Sequence, residues 1–321
     1  MQFLSATTEF PGKKALVRTD LDVPLDEKGN IIETFRLDAL VPTLEYLAEN
    51  NIKPVIAGHI GRPEGQESRV LSTQRLTPFF DSVLGPNTYT LLENLRFNPG
   101  ENSKDTSFAA ELASKADFYV NESFATCHRD VASISLIPEM LPAYAGLRLE
   151  KEIENLSRVL KRASSPMVAL VGGVKESKQL AIEALAEYFD YVLVGGALKK
   201  PERLEQKANI FYPLDYTEDG LDLGPRTLTH YAKILADAST VVWAGPVGAY
   251  DQGYYEGSRR LAEAILNSAE YSLVGGGDTV TCLNQLELLD SFDFVSTGGG
   301  AMLDFLSKEK LPGLEALEYY G

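Results

Sequence analysis

Short apolar runs rich in β-branched residues recur along this chain, and they alternate with longer stretches in which apolar residues recur at helical spacing. Strand, helix and strand in repetition predict parallel sheets with helices on both faces, which is the α/β class. Helical spacing is clearest in the series Leu40, Thr43, Leu44, Leu47 and in the series Leu180, Ile182, Leu185, Ala186. The predicted strands cover residues 15–18, 54–57, 90–92, 118–120, 167–171, 191–194, 240–243, 272–274 and 294–296.

One long amphipathic helix is predicted over residues 148–164, near the middle of the chain. Its apolar positions at helical spacing are Leu149, Ile153, Leu156 and Leu160. An ordinary surface helix would show the same pattern, but the position between two sets of strands favours a connection between two domains. A length of 321 residues also suits two domains.

The composition is that of a globular protein, with 44% hydrophobic residues. No run of about 18 apolar residues occurs, so we expect no membrane span. The N-terminus lacks a basic start followed by an apolar stretch, so a cytoplasmic location is expected. Cys127 and Cys282 are too few for a disulfide framework or a thiolate zinc site.

The formal net charge of -16 argues against nucleic acid as a partner, because such binding needs a basic face. Most of this acidity is interpreted as a contribution to solubility. Against that background, a local cluster of arginines indicates a bound anion.

Polar side chains follow each of the four predicted strands in the N-terminal half. In parallel sheets, ligands bind beyond the carboxyl ends of the strands. Arginine presents a fork of donors that suits phosphate or carboxylate oxygens. Any single arginine here could simply pair with a surface carboxylate, but the set predicts an oxyanion site. The candidates are Asp20, Asp22, Arg36, His59, Arg62, Arg96 and Arg129.

Glycine-rich turns follow the strands of the C-terminal half, at residues 172–173, 195–196, 245–248, 275–277 and 298–300. Glycine lets backbone N–H groups approach a phosphate closely, and a helix N-terminus adds its dipole. Close chain packing also uses glycine, so one such turn is a weak signal, whereas five together predict a nucleotide site. The P-loop and dinucleotide fingerprints are absent, which disfavours a P-loop enzyme and a dehydrogenase.

Two charged residues near these turns each allow two interpretations. Asp278 follows three glycines at a helix start, where it can hold Mg²⁺ beside phosphates or cap the helix. Lys175 can neutralise a phosphoryl group in transfer, or it can be an ordinary solvated lysine.

The same segments resemble the phosphoglycerate kinase family across nearly the whole chain and in the family's order. Residues 17–24, 59–65, 92–97 and 127–129 are similar to its substrate segments. Residues 171–175, 243–248, 275–279 and 295–301 are similar to its nucleotide and hinge segments, and residues 311–314 resemble its ending.

The resemblance implies two Rossmann-like domains, each with helices on both faces of a mainly parallel sheet, joined by a long helix and a hinge. Residues 1–147 would bind 3-phosphoglycerate or 1,3-bisphosphoglycerate through the seven candidates named above, and residues 306–321 would pack back onto this domain. Residues 148–165 would form the interdomain helix, and residues 166–305 would bind Mg-ADP or Mg-ATP. Hinge closure would join the two sites.

The resemblance also implies specific roles in reversible phosphoryl transfer between 1,3-bisphosphoglycerate and ADP, a step of glycolysis and gluconeogenesis. Catalysis would involve Arg36, Lys175, Gly277 and Gly300, together with Lys178 by the hypothesis given below. Mg²⁺ would be held by Asp278, and a monomer is expected. Nucleotide binding would involve Gly172, Lys175, Gly195, Gly196, Gly220, Leu221, Pro246, Val247, Asp251, Gly275, Gly276, Gly277, Asp278 and Thr279.

Several features depart from the family pattern. The chain is shorter, with material missing mainly between residues 62 and 91 and between residues 197 and 214. Asp22 and Ala244 each replace an Asn, and Gln179 replaces a Lys. We hypothesise that Lys178 supplies the missing charge, because residues three and four apart share a helix face. Two other hypotheses are a degenerate kinase-like protein that binds one ligand as a regulator, and a kinase for a related phosphorylated acid.

Overall fold

The computed structural model describes residues 1–6, 12–26, 28–173, 178–198, 207–307 and 310–320, with only the backbone described at residues 162, 178 and 179. Its internal contacts divide the chain into two compact units. Unit 1 comprises Met1–Ile153 and Lys310–Gly321, and unit 2 comprises Glu154–Glu309.

Unit 1 is built on a parallel sheet of five strands in the order β3-β2-β1-β4-β5. The order reverses its direction after β1, so the loops after β1, β2 and β4 meet at the carboxyl edge. Ligands bind at such a reversal in α/β sheets. The strands are β1 (Lys14–Thr19), β2 (Lys53–Ala57), β3 (Thr90–Leu91), β4 (Phe118–Glu122) and β5 (Ala143–Ala145).

Helices cover both faces of this sheet. On one face, α1 (Phe35–Glu49) buries Leu37, Leu40 and Leu44 against side chains of β1 and β2. On the other face, α4 (Thr106–Ala113) buries Phe108 and Leu112 in a second apolar cluster. The remaining helices of this part of the chain are α2 (Thr77–Leu84), α3 (Pro99–Asn102) and the one-turn π-helix Ala132–Leu136.

The end of the chain packs on unit 1. Helix α11 (Pro312–Ala316) lies against the π-helix, and the Gly313 N–H donates a hydrogen bond to the Cys127 carbonyl oxygen at 2.9 Å. The N-terminal ammonium of Met1 donates to the Glu318 carbonyl oxygen at 3.0 Å.

Unit 2 contains a parallel sheet of six strands in the order β11-β10-β9-β6-β7-β8. The strands are β6 (Met167–Val171), β7 (Tyr191–Val194), β8 (Ile210–Phe211), β9 (Thr240–Ala244), β10 (Tyr271–Gly275) and β11 (Phe294–Ser296). The helices are α6 (Lys178–Leu185), α7 (Pro225–Ala236), α8 (Glu256–Ser268), α9 (Gly277–Gln285) and α10 (Gly299–Leu306).

The long central helix α5 (Leu147–Arg162) is shared by the two units. Its apolar positions Leu149, Ile153 and Leu156 are buried, as predicted, whereas Leu160 is half-buried and Val159 is buried beside it. A long helix over this part of the chain is therefore confirmed.

The α/β class and every predicted strand are confirmed. The pattern missed the edge strands β5 and β8, although it identified the equally short edge strands β3 and β11. Leu180 is 74% exposed, whereas Ile182 and Leu185 are buried. Leu180 therefore does not belong to the buried apolar series, since a helix residue two positions from Ile182 lies on nearly the opposite side. Within the part of the chain that the structure describes, no helix has the length and apolarity to cross a membrane.

Candidate active site

The carboxyl ends of β1 and β4 are joined through the buried carboxylate of Asp20. Its Oδ1 accepts hydrogen bonds from the hydroxyls of Ser123 and Thr126, and its Oδ2 accepts from the Ala125 N–H at 3.1 Å. Asp20 therefore orders the loop that leads to Arg129.

Asp22 and Arg36 form the next part of the edge, beside the segment that follows β2. The Asp22 Oδ1 accepts a hydrogen bond from the Gly61 N–H at 2.7 Å. The Arg36 Nη1 donates to the Asp22 carbonyl oxygen at 2.5 Å and lies 3.8 Å from its Oδ2. The His59 Nε2 lies 4.0 Å from the same Oδ2. Asp22, Arg36 and His59 thus meet at one place.

Arg96 approaches this group from β3. Asn94 begins the short turn after β3 by accepting the Arg96 N–H, and the Arg96 Nη1 donates to the Gly61 carbonyl oxygen at 2.8 Å. Burial is the main cause that lowers the pKa of the Arg96 guanidinium. The cation is therefore partly withdrawn from water, which strengthens its attraction to an anion.

Arg62 and Arg129 are exposed, and neither side chain makes a hydrogen bond or an ion pair to another described residue. Arg129 lies close enough to His59 to contribute to the lowering of the pKa of His59. Arg62 follows Gly61, whose backbone is held by Asp22 and Arg96. Both guanidinium groups therefore have donors available for a ligand.

Arg18 is a member of this cluster that the sequence candidates omit. Its guanidinium is only 1% exposed and lies beneath His59, with its Nη2 3.1 Å from the His59 Nδ1. An arginine at the end of an otherwise apolar strand was the available signal, since arginine is almost never fully buried without partners.

A groove of about 470 Å³ lies beside this edge, against α4. Its charged side chains are Glu67, Glu93, Glu111 and Lys115. Three carboxylates and one amine do not suit an anionic ligand, so the arginine cluster remains the candidate site.

In unit 2, several of the predicted glycines serve close chain packing. A Cβ on Gly172 would lie 2.4 Å from the Gly245 carbonyl oxygen, and a Cβ on Gly195 would lie 2.6 Å from the Val247 Cγ1. A Cβ on Gly275 would lie 2.8 Å from the Met302 Sδ. These positions need glycine for reasons internal to the protein, so the five glycine turns are less specific for phosphate than their number indicates.

The N-termini of α9 and α10 converge at the carboxyl edge of the sheet. A Cβ on Gly299 would lie 2.7 Å from the Gly276 Cα, and Gly276 has a φ of 99°. Gly277, Asp278 and Gly300 are exposed in the first turns. Backbone N–H groups and two helix dipoles are thus directed at one place, which suits a phosphate chain.

Thr279 and Asp278 differ in their surroundings. The Thr279 hydroxyl donates to the Gly275 carbonyl oxygen at 2.9 Å and accepts from the Gly245 N–H at 2.7 Å, so this buried group joins β10 to the turn after β9. The exposed Asp278 accepts a hydrogen bond from the Tyr250 hydroxyl at 3.4 Å. Asp278 therefore retains oxygen lone pairs that can reach a ligand.

A cavity of about 170 Å³ opens between the turns after β7 and β9 and the segment before α7. Five predicted residues line it, namely Gly196, Gly220, Leu221, Pro246 and Val247. The sequence candidates omitted the other lining residues, of which Tyr216, Asp222 and Gln252 carry the larger side chains. Asp251 is exposed next to Gln252. The mostly apolar wall suits a flat heterocycle.

Three predicted residues cannot be placed in full. Lys175 lies outside the described residues, and for Lys178 and Gln179 only the backbone, at the start of α6, is described. Among the residues that are described, no group of three or more His, Cys, Asp or Glu side chains could hold a metal ion.

An arginine cluster at one parallel sheet and converging helix N-termini beside an apolar cavity at another are typical of a two-domain α/β kinase. Comparison with known proteins gives the family. The family model described as phosphoglycerate kinase matches residues 6–85, 80–211 and 199–309. The chain therefore belongs to the phosphoglycerate kinase family.

The alignments with two relatives and two solved structures extend over nearly the whole length of both chains. A phosphoglycerate kinase of Desulfosudis oleivorans is 31% identical, with 97% of this chain and 98% of the relative aligned. One of Desulforudis audaxviator is 35% identical, with 97% of each aligned. The solved phosphoglycerate kinase of Pyrococcus horikoshii superimposes with a TM-score of 0.85 at 26% identity, and that of Coxiella burnetii with 0.79 at 30%. Each covers 99% of this chain and 98% of the solved chain.

The same comparisons bear on the length of the chain. The alignment with the Desulfosudis relative spans 386 positions, which exceeds the 321 residues present here, so that relative carries residues that this chain lacks. The family match is divided into three segments that overlap at residues 80–85 and 199–211. Both overlaps fall within the two stretches where the sequence indicates missing material.

Proposed function

We propose that this protein is a phosphoglycerate kinase that transfers a phosphoryl group reversibly between 1,3-bisphosphoglycerate and ADP, giving 3-phosphoglycerate and ATP. One observation carries the proposal beyond family membership. Arg18, Arg36, Arg96 and Arg129 reach His59 from β1, α1 and the loops after β3 and β4, and each lowers the pKa of His59. In a chain with a net charge of -16, such a concentration of arginines at one place favours the binding of an anion there.

We assign the phosphoglycerate to this edge of unit 1. Its phosphate and carboxylate each suit bidentate donation from arginine. Arg62 and Arg129 offer exposed donors, and Arg36 and Arg96 are already oriented by hydrogen bonds to backbone carbonyl oxygens. Donors that are held before binding lose little freedom when the ligand arrives.

We assign the nucleotide to unit 2, with the base in the cavity beside Leu221 and Val247 and the phosphates at the N-termini of α9 and α10. Mg²⁺ usually binds through one or two carboxylates together with substrate phosphates. Asp278 is a single exposed carboxylate at that place, so the residues present fit an ion that arrives with the nucleotide. When bound, the ion would neutralise charge on the phosphates.

The reaction needs positioning and charge neutralisation more than proton transfer. The acceptor is a carboxylate without a proton, so no general base is required. The phosphoryl group passes through a loose transition state, and its oxygens gain from fixed donors. In our assignment, Arg36 supplies donors on the phosphoglycerate side, and the amides of Gly277 and Gly300 supply them on the nucleotide side. Because these residues belong to different units, the proposal requires a closure that brings the two ligands into line.

The test is ADP release from MgATP with 3-phosphoglycerate, with hydroxylamine present to trap the acyl phosphate. We expect turnover that needs 3-phosphoglycerate and stops when EDTA removes the divalent ion. Arg36→Ala should lower kcat by about two orders of magnitude, since removing one such donor has a cost of this size. Folded protein without turnover would reject the proposal.

Thermal-shift measurements then distinguish an active kinase from a degenerate kinase-like protein that binds one ligand. A ligand that binds only the folded state raises the melting temperature by mass action. An active kinase should respond to both 3-phosphoglycerate and MgADP, whereas a one-ligand regulator should respond to one of them. A cytoplasmic monomer completes the proposal, and light scattering would reveal a larger assembly.

A further inference from the structure

The buried Arg18 lies at the centre of a hydrogen-bonded group next to His59 in unit 1. The Arg18 Nε donates to the Ser133 Oγ at 2.8 Å, and its Nη1 donates to the Thr19 carbonyl oxygen at 2.5 Å and to the Ser123 Oγ at 3.2 Å. Glu101 lies 4.0 Å from the Nη2 and accepts from the Ser133 hydroxyl at 2.6 Å. The guanidinium is therefore fixed on several sides.

The Nη2 atom of the Arg18 guanidinium faces His59. The Arg18 Nη2 lies 3.1 Å from the His59 Nδ1. An arginine has only donors, so a hydrogen bond between these nitrogens needs an Nδ1 without a proton. In a neutral imidazole, the proton then resides on Nε2, which lies on the side of Asp22.

We propose that Arg18 is a positioning residue that holds His59 as the neutral Nε2–H tautomer, so that His59 offers the substrate one directed N–H donor instead of a titrating charge. The substrate part of this inference rests on the proposed function. The tautomer itself follows from contacts within unit 1.

Four arginine charges around His59 favour the neutral imidazole, whereas the carboxylate of Asp22, which faces it, has the opposite effect. Arg18 faces it from β1, Arg36 from α1, Arg96 from the loop after β3 and Arg129 from the loop after β4, and Asp22 lies 4.0 Å from its Nε2. Burial, followed by the four arginines, lowers the pKa of His59 well below its usual value. A positive charge on His59 would add a fifth cation to this group.

A neutral donor has a functional advantage at this place. The arginines supply the charge, and the imidazole adds a hydrogen bond whose direction is set by the tautomer. Substrate affinity should therefore not depend on a histidine that changes charge near neutral pH. The inference predicts a Michaelis constant for 3-phosphoglycerate without a histidine titration between about pH 5.5 and about pH 8.

The direct test is imidazole ¹⁵N NMR on the full chain, which contains only three histidines. Single His→Gln variants at 59, 128 and 230 assign the signals. We expect the wild-type His59 to show an unprotonated Nδ1 and a protonated Nε2 across that pH range. An imidazolium, or an Nδ1–H tautomer, would overturn the proposal.

Variants at Arg18 test whether this residue sets the tautomer. In Arg18→Gln, His59 should titrate or mix tautomers, and the Michaelis constant for 3-phosphoglycerate should rise about tenfold and become pH-dependent, with a smaller change in kcat. Arg18→Lys keeps a cationic donor and should restore the tautomer in part. Lys53→Gln removes one positive charge at the opposite end of the sheet. It should change neither the His59 tautomer nor the Michaelis constant for 3-phosphoglycerate.

An unchanged His59 tautomer in a folded Arg18→Gln protein would also overturn the proposal. If that variant does not fold, the wild-type spectrum decides, because a protonated Nδ1 cannot accept from Arg18. The expected tautomer in a protein without kinase turnover would support the positioning role and reject the proposed function instead.

Discussion

At the scale of single residues, Asp22 is the most unusual member of the site, since its carboxylate lies among cations that are assigned to an anionic ligand. Its Oδ1 is occupied by the Gly61 N–H, whereas its Oδ2 faces Arg36 and His59. The negative charge thus competes with the substrate for the same donors. An Asn would keep the acceptor for Gly61 and remove that competition.

We expect Asp22→Asn to lower the Michaelis constant for 3-phosphoglycerate about fivefold at low salt. The reason is Coulomb repulsion of about 1 kcal/mol between hydrated charges at a separation of about 4 Å. Steady-state kinetics at low and high ionic strength would measure it, with Glu45→Gln on the exposed side of α1 as the matched charge control. An unchanged or higher constant would show that Asp22 mainly orients Arg36.

Tyr216 has the largest side chain among the residues that line the cavity of unit 2. It lines the cavity, is 40% exposed, and pairs with Leu223 in an isolated antiparallel bridge. Tyr216 comes just after residues 197–214, one of the two stretches where the sequence indicates missing material. An aromatic ring here can cover one face of a base.

Replacing Tyr216 with Ala should raise the Michaelis constant for MgATP about fivefold to tenfold and leave that for 3-phosphoglycerate unchanged. Aromatic contacts of this kind contribute about 0.5–1.5 kcal/mol beyond burial. Tyr216→Phe is the matched control and should behave as the wild type. Equal effects of both substitutions would point to the hydroxyl, and no effect of Ala would exclude contact with the base.

At the scale of elements, the N-terminus of α5 is held by a buried carboxylate at the end of β4. Glu122 accepts the Arg148 N–H at 3.1 Å and the Leu149 N–H at 2.9 Å, together with the Thr43 hydroxyl. Gly146 makes this approach possible, because a Cβ there would lie 2.3 Å from the Glu122 Cδ. Burial nevertheless raises the pKa of Glu122 to about 7.

This pKa predicts a pH-dependent contribution to the stability of unit 1. Because folding raises the pKa of Glu122 from 4.5 to about 7, its contribution is fully present below about pH 4.5 and is lost as the pH rises through about 7. The unfolding free energy of the wild type, relative to Glu122→Gln, should be about 2–3 kcal/mol greater at pH 5 than at pH 8.

Urea unfolding followed by circular dichroism at both pH values measures that difference. The contributions of groups that titrate alike in the wild type and in Glu122→Gln cancel when the two unfolding free energies are subtracted. An equal difference at the two pH values would mean that Glu122 does not titrate in this range. The pH dependence would then have to come from other groups.

The elements also show how far sequence reasoning extends. Long buried strands such as β1 and β6 carry continuous apolar runs, so their existence and class were predictable. The edge strands β5 and β8 were not predicted, although β3 and β11 are equally short. The strand β5 reads Ala-Tyr-Ala and has no β-branched residue to mark it. Arg18 was omitted from the sequence candidates because only the tertiary structure shows that Ser133, Glu101 and His59 surround it.

In unit 2, the glycine turns predicted phosphate contacts, and the structure shows a second reason for glycine at three of these positions. Gly172, Gly195 and Gly275 each lie too close to neighbouring chain atoms to carry a Cβ. A sequence shows that a residue is glycine, but it does not show which neighbouring atoms occupy the space where a Cβ would lie. The hydroxyl of Thr279 is likewise used between strands, although its position in the motif favours the ligand.

At the scale of the whole molecule, a chain of 321 residues retains both α/β units and aligns with at least 97% of the length of the Desulfosudis and Desulforudis relatives. The residues that it lacks are therefore internal, and the arginine cluster and the glycine turns are retained. The proposed kinase activity requires both units to act on one phosphoryl group.

Phosphorus NMR with stoichiometric protein, MgATP and 3-phosphoglycerate tests that requirement most directly, because it identifies where the γ-phosphoryl group goes. We predict an acyl phosphate signal on the phosphoglycerate together with ADP, and formation of both signals about a hundredfold more slowly in Arg36→Ala. Inorganic phosphate alone would indicate hydrolysis, and unchanged ATP in the presence of bound 3-phosphoglycerate would indicate a binding protein. Either result would contradict transfer between the two units.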